Sequence, residues 1–160
     1  MISITPAGPD HWAPAVGLVG RTGLPVEDLR AGDQRFWVAQ DGPGIVGVIG
    51  VEIHGNTGLV RSMAVDETHR HRGIAGALYA ALEEWWSQRG PLVLLTETAE
   101  AFFARRGFQT VDRESVPEPI KASAEFRELC PVSARAMVKP VREMSFRGQR
   151  VVSSRQESDS

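Results

Sequence analysis

The chain has 160 residues, of which 42% are hydrophobic and 24% are charged, and its formal net charge is -2. This length fits one domain with a sizeable core, and the near-balance of charge argues against a protein that mainly grips nucleic acid or an anionic membrane. The single cysteine, Cys130, excludes an internal disulfide and a cage of several thiolates. Because the start lacks a signal-peptide pattern and no apolar run approaches the roughly 18 residues of a membrane span, we expect a soluble cytoplasmic protein.

The N-terminal part predicts one strand and two short helices. The stretch MISIT alternates in polarity and predicts a strand. Asp10 is a candidate cap for a helix in which Trp12, Val16 and Val19 share one face. Pro25 stands at a favourable first helical position in GLPVEDLR, which predicts the second helix.

Three strands in series are predicted next, from RFWVAQ, IVGVIGVEI and LVRSMAV. The turn sequences DGPG at 41–44 and HGNTG at 54–58 separate them, so we expect an antiparallel meander. The same region contains a literal G-x-G-x-x-G, as GPGIVG at 42–47. Because it opens a strand rather than a helix, we interpret it as a hairpin turn and not as a dinucleotide site.

The apolar period then becomes helical, because Ile74, Leu78, Leu82 and Trp85 recur at helical spacing. The sequence RGP at 89–91 predicts the end of this helix. LVLLT follows and is wholly apolar, as expected of a strand buried on both faces.

The last third predicts two more helices and two strands. AEAFFARRGF predicts a helix ended by Gly107, followed by a strand from Phe108 to about Arg113. PIKASAEFREL predicts a further helix and SARAMVKPV a last strand. Residues 145–160 are polar and aperiodic, so we expect a disordered tail after a single domain of residues 1–144.

The stretch RHRGIAGAL at the start of the long helix combines positively charged residues with small residues that leave the main chain accessible. The first amides of a helix have no partner within it, and the helix dipole places about half a positive charge there. Gly73, Ala75 and Gly76 leave an anion's approach clear, and Arg70 and Arg72 add charge. We therefore predict a site for phosphate, in the form of a pyrophosphate. The alternative is a basic helix start whose small residues pack on the sheet.

Other phosphate and metal patterns are missing from the sequence. No G-x-x-x-x-G-K-[ST] occurs, which excludes a P-loop, and no cysteine and histidine spacing supports zinc. His69 and His71 are two residues apart in a predicted loop. We expect this pair to face solvent rather than to bind a metal.

The segment MAVDETHRHRGIAGALYAALE resembles the acetyl-CoA-binding segment of the Gcn5-related N-acetyltransferase (GNAT) family. Arg70, Gly73 and Ala75 match its [QR]-x-x-G-x-[GA] pattern, with His71 where many members have glycine. TETAEAFFARRGF is similar to the second family landmark, N-x-x-A-x-x-x-Y-x-x-x-G-F, although Thr96 replaces the common asparagine. The positions that match this landmark are Ala99, Gly107 and Phe108.

This resemblance implies the GNAT fold, of the α/β (α+β) class. Its sheet would be mixed, mostly antiparallel, of about six to seven strands, splayed between the fourth and fifth strands and flanked by helices. Acetyl-CoA would lie in that opening as co-substrate, and no metal is implied. The residues implied to hold it are Met63, Ala64, Val65, Arg70, His71, Arg72, Gly73, Ile74, Ala75, Gly76, Ala99, Phe102 and Phe103.

The family's usual general acid is a tyrosine four residues before the Gly-Phe pair, and this chain has Phe103 there. The only tyrosine, Tyr79, lies in the long helix, where we expect a structural role. Because a thiol has a pKa near 8.5, its thiolate leaves without a positioned acid, so we expect activity with water supplying the proton.

Glu52 is the candidate catalytic base, directly or through a water, because it interrupts the apolar run VIGVEI. The alternative is a solvent-facing residue at the sheet edge, and Glu97 is the reserve candidate. Arg61 and Ser62 precede the implied thioester-binding residues and are candidates to meet an acceptor's carboxylate or phosphonate. The alternative for Arg61 is an internal ion pair with Glu52. By family analogy the segment GRTGLPVEDL would roof the acceptor pocket, and Arg21 is a candidate to help bind an anionic group of the acceptor.

A closer resemblance concerns N-acetyltransferases associated with arsenic resistance, through LVRSMAV, LLTETAEAFFARRGF and PEPIKASAEFRELCPVSARAMVK. It implies a small, amino-acid-like acceptor amine, such as an organoarsenical or phosphinic amino acid, and a detoxification role. A protein or peptide acetyltransferase and a non-catalytic acyl-CoA-binding module are the alternatives. Nucleic acid and membranes are not expected as partners, whereas a homodimer is compatible with the resemblance.

Overall fold

The computed structural model describes residues 1–22, 24, 33–87, 89–122 and 133–141. The strands and helices of the described residues follow the predicted order along the chain. In chain order they are β1 (Ile2–Pro6), α1 (Trp12–Arg21), β2 (Gln34–Asp41), β3 (Gly44–His54), β4 (Thr57–Val65), α2 (Ile74–Trp86), β5 (Leu92–Thr96), α3 (Glu100–Ala104), β6 (Gln109–Val111), α4 (Glu118–Lys121) and β7 (Arg135–Lys139).

Seven strands of the described residues form one sheet in the order β1-β2-β3-β4-β5-β7-β6. The strands β1 to β4 make the predicted antiparallel meander, and β7 runs antiparallel to both β5 and β6. The pair β4–β5 is parallel. The predicted α/β (α+β) class, with a mixed and mostly antiparallel sheet flanked by helices, is therefore confirmed.

The parallel pair β4–β5 is short, and this creates the splay predicted for the sheet. Only Gly58 with Leu92 and Leu59 with Val93 are partners, although β4 continues to Val65 and β5 to Thr96. Beyond these two pairs the strands separate, and both line one cleft. LVLLT is consequently not buried throughout, because its last two residues border this opening and are half-buried.

Alternating side chains of the sheet divide the core between two faces. The face covered by α2 includes Trp37, Ile49, Val51, Val60 and Leu94. The opposite face is covered by α1 over Phe36, Val38, Val48 and Ala64. Further along that second face, α4 covers Leu59, Val93 and Ala136. Each fully buried leucine of α2, such as Leu78 or Leu82, stabilises the fold by about 1.5–3 kcal/mol through the loss of apolar surface.

The predicted cap of α1 is wrong. Pro9–His11 form a short 3-10 helix that runs directly into α1, so Asp10 lies within a helical turn and His11 takes the N-cap position without a side-chain hydrogen bond. The predicted apolar face also shifts, because Val16 is only half-buried. The buried residues of α1 are Ala15, Leu18 and Val19.

Three other predicted boundaries change, at the ends of α2, α3 and β6, and α3 ends at Ala104 rather than at the predicted Gly107. α2 ends at Trp86 rather than near position 89, because Ser87 adopts a left-handed conformation with φ of 53°. Trp86 is fully buried and donates a hydrogen bond to the Gly90 carbonyl, whereas Trp85 is half-buried. β6 ends at Val111. The predicted helix in GLPVEDLR, most of the helix in PIKASAEFREL, Cys130 and the tail at 145–160 lie outside the described residues.

Candidate functional site

A cleft of about 880 Å³ opens where β4 and β5 separate. Its walls are residues 60–65 of β4, residues 73–76 at the start of α2, residues 94–99, and the end of α3. Successive side chains of β4 point to opposite faces of the sheet. Val60 faces α2, so Arg61, the next residue, faces the side that α1 and α4 cover. The cleft therefore passes through the sheet, with the start of α2 at one mouth and Arg61 towards the other.

The main chain of β4 is unpaired on the side of this cleft, and a β-bulge interrupts its pairing with β3 on the other side. Gly50 is the partner of Arg61 and Val48 is the partner of Ala64, so one residue of β3 faces both Ser62 and Met63. Ser62 has a φ of 60°, which marks the bulged residue. A bulge leaves peptide groups unpaired towards the neighbouring strand, and the splay leaves the other edge of β4 unpaired as well. The main chain of this segment can therefore bind an amide-rich ligand.

The loop before α2 forms an anion cradle, which we define as residues 70–76. Gly73 occupies the N-cap of the 13-residue helix with a φ of 78°, and a Cβ built on it would meet nothing within 4 Å. The amides of Ile74, Ala75 and Gly76 begin the helix and have no intrahelical partners. His71 has a φ of 66°, which explains why glycine is favoured at this position in the family it resembles. The cradle is open to an anion and fits a pyrophosphate.

Four arginines lie at the cradle, two within it and two on the wall that faces it. Arg70 and Arg72 are exposed on the loop, and Nε of Arg70 donates a hydrogen bond to the Val65 carbonyl over 3.3 Å. Arg105 and Arg106 project from the end of α3 and line the facing wall. Among the described residues, none of these four arginines forms an ion pair with a carboxylate. The mouth of the cleft is therefore electropositive although the chain as a whole has a net charge of -2.

His69 anchors the loop that leads to the cradle, so the expectation that it faces solvent is wrong. Its Nε2 lies 2.9 Å from Oδ2 of Asp41 at the β2–β3 turn, and its Nδ1 lies 3.4 Å from Oδ2 of Asp66. The hydrogen bond from His69 lowers the pKa of Asp41, and the hydrogen bond from Thr68 is the main cause of the lowered pKa of Asp66. His71 is exposed as expected. In the ranges that the structure covers, no cluster of three or more potential ligands is arranged for a metal ion.

Glu52 and Arg61 form an ion pair on the α1 and α4 side of the sheet. Nη1 of Arg61 lies 3.5 Å from Oε2 of Glu52, and Nε of Arg61 donates to Oγ of Ser62 over 3.0 Å. The other carboxylate oxygen of Glu52 lies 2.6 Å from Nε2 of His54. Glu52 is only 8% exposed, which rules out the solvent-facing alternative. Arg61 and Ser62 line the cleft, whereas Glu52 lies behind Arg61 and does not.

The other two charged candidates lie apart from this pair. Glu97 lines the cleft on the β5 side and accepts a hydrogen bond from the Ser133 hydroxyl. Arg21 does not line the cleft, and its Nη2 lies 4.0 Å from Oδ1 of Asp66 at the surface. Thr22, the residue after it, does border the cleft.

Aromatic side chains close the α3 wall. Phe103 lines the cleft and packs edge-to-face against Phe102, Phe108 and Tyr79. Tyr79 does not line the cleft, and its hydroxyl donates to Oε2 of Glu83 over 3.2 Å. Burial, and then the negative charge of Glu83, raise the pKa of Tyr79. Tyr79 lies in the core covered by α2 and not in the cleft wall, as expected of a structural residue.

The cleft gathers most of the residues singled out from the sequence. Those that line it are Arg61, Ser62, Met63, Ala64, Val65, Arg70, His71, Gly73, Ile74, Ala75, Gly76, Glu97, Ala99, Phe102 and Phe103. Glu52, Arg21 and Arg72 do not. Arg106, which lies in the facing wall, was not predicted from the sequence. The signal for it was the pair of arginines between the end of α3 at Ala104 and Gly107.

Comparisons with known proteins identify the fold. Residues 32–110, just under half of the chain, match the family model described as "Acetyltransferase (GNAT) domain". No curated protein matches the sequence. None of the described helices is long and apolar enough to cross a membrane.

Several solved structures share the whole architecture. An acetyltransferase of the GNAT family from Staphylococcus aureus is 16% identical, with a TM-score of 0.70, over 88% of this chain and 99% of that one. A Mycobacterium tuberculosis protein in complex with CoA is 22% identical, with a TM-score of 0.72, over 87% of this chain and 99% of that one. N-acetylglutamate synthase from Neisseria gonorrhoeae, complexed with coenzyme A and N-acetyl-glutamate, is 16% identical, with a TM-score of 0.70. That match covers 88% of this chain but only 35% of the synthase. At these identities the likeness shows the fold alone, and the predicted GNAT fold is confirmed.

Proposed function

We propose that this chain is an acetyl-CoA-dependent N-acetyltransferase of the GNAT family, which acts in the cytoplasm on the primary amine of a small, amino-acid-like acceptor. One observation carries the proposal. The unpaired main chain of β4 and the open, electropositive cradle at 70–76 border the same cleft, which passes through a splayed sheet. The match of residues 32–110 to an acetyltransferase domain supports the same function.

The residues present fit acetyl-CoA. The peptide groups of Met63, Ala64 and Val65 would hold the pantetheine arm, and the amides of residues 71–76 would hold the pyrophosphate. Ala99, Phe102 and Phe103 would cover the arm from the α3 side. When bound, acetyl-CoA supplies an acetyl thioester whose leaving thiol has an ordinary pKa near 8.5. Phe103 has no proton to donate, so water protonates the departing thiolate.

The acceptor amine must be neutral when it attacks the thioester. An α-amine with a pKa near 8 is roughly one-tenth neutral at pH 7, which adds only about 1.4 kcal/mol to the barrier. An amine with a pKa near 10.4 adds about 4.6 kcal/mol and depends far more on a base. We propose Glu52 as that base, acting through a water because its carboxylate lies behind Arg61. Glu97, which does border the cleft, is the reserve candidate.

The acceptor is proposed to carry an acid group as well as its amine. Arg61 is a buried cation in the cleft wall, with Ser62 beside it, and such a site suits a carboxylate or phosphonate. One similar structure, N-acetylglutamate synthase, holds an N-acetylated amino acid. The sequence resemblance to arsenic-resistance-associated enzymes supports an organoarsenical or phosphinic amino acid as acceptor, in a detoxification role. Arg21 lies outside the cleft wall and would contribute only to the acceptor's entrance.

Release of free thiol from acetyl-CoA tests the function across a panel of amines. The panel contains glutamate, phosphinothricin-like amino acids, an organoarsenical amino acid, their amides and a lysine-containing peptide. We expect turnover with at least one small amino acid and none with the peptide. Binding of CoA without turnover on any amine would instead favour a non-catalytic acyl-CoA-binding module, the alternative that Phe103 raises. Turnover confined to the peptide would favour a protein acetyltransferase.

A further inference from the structure

Arg106 reaches across the cleft from the end of α3 to the start of α2. A Cβ built on Gly76 would lie 2.8 Å from Nη2 of Arg106, so the guanidinium occupies the space beside this glycine. Gly76 belongs to the first turn of α2 and to the cradle. Any larger residue at this position would push the guanidinium away, so the missing side chain makes room for the arginine.

Two contacts hold the guanidinium in this position. Its central carbon lies 3.7 Å from the centroid of the Phe102 ring, and Nη1 donates a hydrogen bond to the Phe102 carbonyl over 3.0 Å. A guanidinium that is stacked on an aromatic ring and bonded at one nitrogen loses less freedom when it binds a ligand. Its remaining N–H groups still point in the fork that matches two oxygens of one phosphate.

The charge of Arg106 is poorly matched to its protein surroundings. The positive end of the α2 dipole lies beside it, and a cation at a helix N-terminus is unfavourable. Of the carboxylates in the described ranges, none forms an ion pair with it. An anion between α2 and α3 would satisfy both the first amides of the helix and the guanidinium.

We propose that Arg106 is a ligand of the pyrophosphate of CoA, contributed by the wall opposite the cradle. This inference rests on the proposed function and extends the donor site to a residue outside the segment that resembles the family's CoA motif. The two walls would then close on one diphosphate, with peptide N–H groups on the α2 side and a planar cation on the α3 side. We assign the diphosphate rather than the 3′-phosphate because the guanidinium lies against the first turn of α2.

Calorimetric titration with three ligands tests this assignment in the absence of any acceptor. The ligands are CoA, 3′-dephospho-CoA, which keeps the diphosphate, and pantetheine, which has no phosphate and is followed by NMR shifts if its heat is small. We expect Arg106→Ala to weaken binding of CoA and of 3′-dephospho-CoA by about tenfold or more, and to leave pantetheine unchanged. Arg106→Lys keeps the charge but loses the fork, so we expect an intermediate loss.

Arg105→Ala is the charge-matched comparison, because Arg105 is exposed on the same turn. We expect it to weaken CoA binding by no more than about threefold. Equal losses of CoA affinity in the two alanine variants would overturn the proposal, because they would reflect only the overall positive electrostatic potential of the cleft. A loss confined to CoA and absent for 3′-dephospho-CoA would overturn the assignment to the diphosphate. An equal loss for pantetheine would also overturn it, because the effect would then not depend on a phosphate. Failure of the wild-type protein to bind CoA would contradict the proposed function as well.

Discussion

Arg61 of β4 and Glu52 of β3 form an ion pair inside the sheet, with Nη1 of the arginine 3.5 Å from Oε2 of the glutamate. The arginine borders the cleft, and the glutamate lies behind the arginine. The second carboxylate oxygen of the glutamate contacts His54. A buried pair of this kind contributes little net stability, but loss of one partner costs about 3–5 kcal/mol because the other charge is left buried. The pair therefore places a buried positive charge in the wall of the cleft, and Glu52 compensates that charge.

Replacement of Glu52 by glutamine distinguishes a base from an ion-pair partner. If Glu52 accepts the acceptor's proton through a water, Glu52→Gln lowers turnover at least tenfold and shifts the pH dependence of kcat. The affinity for CoA should change little, because Glu52 does not line the cleft. A variant whose pH profile matches that of the wild type removes Glu52 from the role of base and leaves only its pairing with Arg61.

Arg61→Lys tests recognition of the acceptor's acid group. Lysine retains the positive charge but cannot present two parallel donors to a carboxylate. We expect the KM of an acidic acceptor to rise about tenfold, while the KM of the corresponding amide changes by less than twofold. Steady-state kinetics on matched acid and amide acceptors give the comparison. Equal changes for both acceptors would mean that Arg61 has only a structural role.

Phe103→Tyr restores the phenol at the position where the family usually has its general acid. Because the departing thiolate needs no positioned acid, we expect turnover to rise by less than about tenfold. The new hydroxyl also has to be accommodated beside Phe102 and Phe108, which contact this ring edge-to-face. An increase in kcat larger than tenfold, at unchanged KM for acetyl-CoA, would show that proton donation limits the proposed reaction.

His71 adopts a left-handed conformation in the cradle, with a φ of 66°. That conformation costs an ordinary L-residue roughly 1–2 kcal/mol, whereas glycine adopts it freely but loses more entropy on folding. We expect His71→Gly to stay within about 1 kcal/mol of the wild type and to bind CoA normally. His71→Val should lose about 1–2 kcal/mol and bind CoA more weakly, because a β-branched residue disfavours this conformation. Urea unfolding and calorimetry measure the two effects, and a valine variant as stable as the glycine variant would exclude the strain.

The meander and the cradle helix could be predicted because each depends on local signals. Alternation and turn sequences define β2, β3 and β4, and the change to helical spacing at Ile74 is where α2 begins. The capping of α1 could not be predicted in the same way. Asp10 is a good capping residue, but Pro9 begins a 3-10 helix that continues into α1 and places Asp10 within the helical turn.

The parts of the site that escaped prediction depend on contacts between distant segments. The bulge at Ser62 reflects the register of β4 against β3, which no local pattern reports. His69 was expected in solvent because its partner Asp41 lies 28 residues earlier. Arg106 becomes part of the cleft because the end of α3 lies opposite the start of α2. The sequence explained Gly76, which accommodates Arg106, by access for an anion or by packing on the sheet.

Calorimetric titration of CoA into the wild-type protein and into Gly73→Val tests the central claim most directly. Gly73 has a φ of 78°, which valine adopts only with strain, so the substitution reorients the first amides of α2 without removing a charge. We predict one CoA bound per wild-type chain and at least tenfold weaker binding to the variant, with far-UV circular dichroism unchanged. No heat from the wild-type protein, or equal affinity in the variant, would contradict the account of the cleft as an acyl-CoA site.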